Sequence, residues 1–137
     1  MMFKFLLKVP TGVASAFFTL VVLYLCLAPQ PVQGGGLLDF PGADKVVHFL
    51  MFFAIAASFI FDCSKGDLPR LPGMGRVVAA TVAAVVLGGA IEVAQGLMGL
   101  GRSADIFDLL ADAAGAVCAA VLMRLCVLKM LQRNAAP

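Results

Sequence analysis

Four stretches of this chain are nearly free of charge, and they decide what it can fold into. Residues 9–28 hold no Asp, Glu, Lys or Arg, and residues 46–61 are interrupted only by His48. Residues 77–98 carry one charge, Glu92, and residues 104–128 carry Asp105, Asp108, Asp112 and Arg124. About 20 apolar residues let a helix cross a ~30 Å hydrocarbon layer. The chain is 62% apolar and 13% charged over 137 residues, where a soluble domain is about 45–50% apolar and about 25% charged. A water-soluble globule of this size cannot hide that surface. The excess faces lipid.

The expected architecture is all-α: an integral membrane four-helix bundle, one membrane domain over residues 1–137, with spans near 9–28, 45–61, 77–98 and 104–128. Lys4 and Lys8 ahead of the first run resemble the start of a signal peptide, but no A-x-A pattern follows, so the run reads as an uncleaved first helix. The second run is short for the bilayer, so its helix must begin near Asp44. Gly- and Pro-rich segments at 30–44 and 62–76 read as loops, and 99–103 as a short turn. Basic residues set the orientation. With a cytoplasmic amino terminus, one side holds Lys4, Lys8, Lys65, Arg70, Arg76, Arg124, Lys129 and Arg133, and the other only Lys45 and Arg102. Both termini are therefore expected in the cytoplasm. Dispersed basic residues without an aromatic platform argue against nucleic acid.

Small residues recur every fourth position as Ala80, Ala84, Gly88 and as Ala111, Gly115, Ala119. Such stripes let helix backbones approach closely in lipid, and the short turn makes the third and fourth spans antiparallel neighbours. Cys26, Cys63, Cys118 and Cys126 form no CxxC pair or metal-like spacing and read as small hydrophobes.

The charges that remain are concentrated on one side. A charged side chain at the bilayer centre costs ~2.5–3.5 kcal/mol on insertion scales, so a chain that keeps several needs a reason. His48 lies one turn, ~6 Å, beyond Asp44, and Glu92 about 9 Å before the end of its run. Asp105, Asp108 and Asp112 open the fourth run at i, i+3, i+7, one helix face, and Glu92 shares a face with Gln95. With Lys45 and Arg102 at the rim, three segments converge on one outward-opening pocket. Plainer readings exist for each: helix caps for Asp44 and Asp105, interfacial anchors for Lys45 and Arg102, and packing or ion pairs for His48 with Asp112 and Glu92 with Arg102.

The string DKVVHFLMFF from Asp44 and EVAQGLMGLGRSADIFDLLADAAGA from Glu92 resemble the VanZ-like family of small bacterial membrane proteins. Lys45, His48, Phe49, Glu92, Gln95, Arg102, Asp105, Asp108 and Gly115 match that family's pattern, whereas Asp112 stands where Asn is usual. The resemblance implies a protein of the inner membrane, linked in its namesake to resistance against the glycopeptide teicoplanin. It supplies no reaction. Two functions fit the pocket. In a binding protein, Lys45, His48, Glu92, Gln95, Arg102, Asp105, Asp108 and Asp112 receive an anionic lipid headgroup or cell-wall precursor. In an enzyme, His48 with Asp108 or Glu92 acts as a base–orienter pair on a phosphate or glycosyl linkage, and the same set could hold a divalent metal. No nucleophile motif or HExxH is present, and the sequence assigns no cofactor, metal site or oligomeric state.

Overall fold

The computed structural model describes residues 9–28, 40–65, 73–99 and 104–135. They form four helices and no strand: α1 (Val13–Leu27), α2 (Ala43–Ser64), α3 (Met74–Met98) and α4 (Ile106–Ala135). Three are long and apolar enough to cross a membrane, namely α2, α3 and Ile106–Leu128 of α4. At ~1.5 Å per residue α2 is about 33 Å long, enough for the hydrocarbon layer. Helix α1 has 15 residues and is the shorter apolar member. The chain is a membrane helical bundle.

Helix ends shift from the sequence expectation for local reasons. The first run is trimmed because Gly12, with φ +90°, turns the chain just before α1, and Ala28 is extended, as a residue before Pro29 prefers to be. Helix α2 begins at Ala43 behind Gly42, whose φ of +83° suits glycine, so Asp44 lies in its first turn rather than capping it. At its other end α2 continues through Asp62 to Ser64, where a loop was expected. Helix α3 stops at Gly99, whose left-handed φ of +62° is a common helix terminator.

Helices α2 and α4 run parallel, their first turns together, and α3 lies antiparallel to both. Gly115 of α4 sits where a Cβ would collide with the Phe49 carbonyl and lie 3.0 Å from the Phe53 nitrogen of α2. The α4 small-residue stripe thus makes its closest approach to α2, while α3 is its antiparallel neighbour as the short turn implied, with Gly88 against Asp112. The stripe on α3 turns inward, with Ala80, Ala84 and Gly88 buried. Val82, Val86, Val93 and Leu97 on its opposite side are more than half exposed. In a bilayer that outward face is met by lipid. The interior is closed by Phe52, Ile55, Ala56, Ile91, Ala116 and Ala119 together with Val22 and Cys26 of α1.

Candidate functional site

The amino-terminal turns of α2 and α4 and the carboxy-terminal half of α3 meet at one end of the bundle. There the Lys45 ammonium donates to Asp44 Oδ2 at 2.9 Å, Asp105 Oδ2 at 3.0 Å and Asp108 Oδ1 at 3.0 Å. One turn further along both helices, His48 Nδ1 lies 2.9 Å from Asp112 Oδ1. The i, i+3 and i, i+4 offsets expected from helix geometry produce this two-layer arrangement: Lys45 over His48 on α2 faces Asp108 over Asp112 on α4.

Glu92 joins the third helix to the set. Its Oε2 accepts the Asp105 backbone N–H at 2.8 Å, and its carboxylate lies near His48 and Asp108, with one ligand atom from each of the three within 4.8 Å of the others. Asp105 is the cap of α4: its Oδ1 accepts the Phe107 N–H at 2.8 Å while Oδ2 receives Lys45. That N–H bond first, and Lys45 second, hold the Asp105 carboxyl below the usual carboxylate range. The capping expectation for Asp105 is met without removing it from the cluster.

Gly88 makes room for the deepest member. A Cβ there would lie 2.7 Å from Asp112 Oδ2 and 3.2 Å from the Phe52 ring. Side-chain exposure falls from 57% at Asp44 through 36% at Lys45 and 14% at Asp108 to 0% at Asp112. The polar groups therefore form a column that opens at the rim and closes in the bundle interior.

Its charge balance is lopsided. Among the described residues it gathers the carboxylates of Asp44, Glu92, Asp105, Asp108 and Asp112 against the Lys45 ammonium and one imidazole. Two buried oxygens, Glu92 Oε1 and Asp112 Oδ2, have no hydrogen-bond partner, a state that native proteins rarely leave unexplained.

Of the sequence candidates, Lys45, His48, Glu92, Asp105, Asp108 and Asp112 are brought together. His48 contacts Asp112, the pair that the plainer ion-pair reading gave, and not Asp108 or Glu92, the partners of the enzyme reading. Gln95 is engaged elsewhere: its amide donates to the Cys26 carbonyl of α1 at 2.9 Å, tying two helices. Arg102 lies outside the described residues.

A second polar group, at the other end of the bundle, was missed. Asp62 Oδ2 accepts both the N–H (3.0 Å) and the hydroxyl (2.6 Å) of Ser15 in the first turn of α1. Lys65 lies 3.5 Å from its Oδ1 and donates to the Val9 carbonyl at 2.6 Å. Its signal was present: Asp62 follows His48 by 14 residues, almost four whole turns, and so shares the inward face of α2.

Comparison with known proteins places these observations in a family. The family model described as VanZ/LLP1 matches residues 2–128, nearly the whole chain. No curated protein and no solved structure matches it. A membrane bundle of this kind, matched by that model over nearly its whole chain, belongs to the VanZ/LLP1 family.

Proposed function

We propose that this protein sits in the bacterial inner membrane and binds the polar headgroup of an anionic lipid or lipid-linked cell-wall precursor in the column at one end of its bundle. The supporting observation is the exposure gradient, which gives a headgroup at the interface a continuous polar path to His48. The eight-to-two distribution of basic residues favours an orientation with both termini in the cytoplasm and the column facing outward. Lys45, exchanging one of its three aspartate partners for the ligand, draws the phosphate together with Arg102. His48, Glu92, Asp105, Asp108 and Asp112 orient hydroxyl and amino groups beneath it. A precursor held this way is shielded from a bulky glycopeptide, which is a physical route to teicoplanin resistance.

The His48–Asp112 pair favours a second reading. A carboxylate on Nδ1 orients the ring and leaves Nε2 to act as general base on a phosphate or glycosyl linkage. The two readings separate cleanly. Purified protein in lipid discs is incubated with lipid-linked wall precursor and followed by mass spectrometry, while cells expressing it are challenged with teicoplanin. Binding without conversion, with binding and resistance lost in His48→Ala and Asp108→Asn at matched membrane levels, supports the headgroup reading. A product formed by wild type and not by Glu92→Gln replaces it with the enzyme. Full resistance and binding in both His48→Ala and Asp108→Asn would remove the column from either function.

A further inference from the structure

We propose that the inner part of the column is a binding site for one divalent transition-metal ion of the Zn2+ or Mn2+ kind, held by His48, Glu92 and Asp108. One ligand atom from each lies within 4.8 Å of the others. Donors at ~2.1 Å from a shared ion are at most about 4.2 Å apart, so side-chain rotations of about 1 Å close the set.

Three features of these residues distinguish the set from an ordinary group of acids. Asp112 holds Nδ1 of His48 at 2.9 Å, and among the described residues no hydrogen bond reaches Nε2. A carboxylate behind the imidazole is the usual way a ligating histidine is fixed in tautomer and orientation. Glu92 is 5% exposed, and its Oε1 is buried with no donor, although the carboxylate belongs to the three-residue set. Asp108 spends only Oδ1 on Lys45. A cation among these atoms supplies what they lack.

The neighbouring group Asp44, Asp105 and Asp108 is also close enough for an ion, but Lys45 already lies within 3.0 Å of all three. The rim carries its own cation, and of the inner set only Asp108 shares it, through Oδ1. One imidazole nitrogen with two carboxylates, and no thiolate, suits Zn2+ or Mn2+ better than Mg2+ or Ca2+, which favour all-oxygen shells. The site stands without the headgroup reading, since its ligands come from this chain alone.

The test uses the full chain in discs of neutral phosphatidylcholine, stripped with a chelator and titrated with Mn2+ while free Mn2+ is read by electron paramagnetic resonance. We expect one equivalent per chain, displaced by Zn2+ and not by equimolar Mg2+. His48→Gln and Glu92→Gln should each abolish saturable binding. Asp112→Asn, a positioning change, should weaken it about 10–100-fold, and Asp62→Asn at the far end should leave it unaltered. If His48→Gln fails to fold, nitrogen modulation in the electron spin echo of Mn2+ bound to wild type decides the matter, because only an imidazole ligand produces it here. Absence of saturable binding by the folded wild type overturns the proposal. So does wild-type affinity in both His48→Gln and Glu92→Gln, a spin echo without nitrogen modulation, or loss confined to Asp44→Asn, which would put the ion on the rim.

Discussion

The two ends of the bundle each bury an aspartate between helices and each leave one of its oxygens without a hydrogen bond, yet they differ in how the charge is balanced. At the Asp62 end a single carboxylate is balanced by a single ammonium: Oδ2 accepts a backbone N–H and a hydroxyl from Ser15, and Lys65 lies 3.5 Å from Oδ1, which like the Ser64 hydroxyl accepts no hydrogen bond. At the other end, carboxylates outnumber basic groups, and Glu92 Oε1 and Asp112 Oδ2 have no donor. Burying an ion without full compensation costs several kcal/mol. A fold gains nothing from such an excess, so on the proposed reading the charge-balanced end is a fastening and the acid-rich end is the site.

That contrast can be broken by substitution. The largest effect belongs to neither aspartate but to Gly115, on which the alignment of α2 with α4 depends. Gly115→Leu places side-chain atoms against the Phe49 backbone and should destabilise the protein by about 3 kcal/mol or more, separating His48 from Asp112. Unfolding in detergent measures it, and a stable Gly115→Leu protein would contradict the parallel packing. Asp62→Ala comes next. Removing the acceptor of two Ser15 donors should cost about 2 kcal/mol while leaving headgroup or metal binding intact at matched protein levels. Loss of binding with stability retained would make that end a site as well. The smallest change in stability is expected from Glu92→Gln. A glutamine carbonyl still accepts the Asp105 N–H, and its amide supplies donors to an acid-rich surrounding, so stability should move by less than about 1 kcal/mol or rise. A fall as large as that of Asp62→Ala would make Glu92 a fastening too.

How far these features were legible in the sequence follows from what helix arithmetic contains. Counting residues along an apolar run gives depth, and depth alone gathered Lys45, His48, Glu92, Asp105, Asp108 and Asp112 at one level. It does not give the neighbour across the helix. Depth left His48 with Asp108 or Glu92 in the enzyme reading and with Asp112 in the ion-pair reading; α2 and α4 run side by side and in step, so Asp112 faces it. Gln95 has the right depth and the same face as Glu92, yet α1 offers it the Cys26 carbonyl. Gly88 and Gly115 were readable as close-packing positions; Gly88 meets Asp112 of the sequential neighbour α4, but the partner of Gly115 was not readable, because loop length favours sequential neighbours over the α2–α4 contact. Asp62 was hidden by its surroundings: Ser64, Lys65 and Gly66 follow it in sequence and look like the start of a loop, although the helix continues to Ser64.

The parallel course of α2 and α4 has one electrostatic consequence. Aligned peptide dipoles give a helix about half a positive charge at its beginning, and both helices begin at the acid-rich end, each with an aspartate in its first turn. Part of the counter-charge there is built into the main chain, where no side-chain substitution can remove it. At the opposite end Asp62 meets the beginning of α1 in the same manner. Connectivity, through the direction in which each helix enters the membrane, has thus set where negative groups can gather before any lysine is placed.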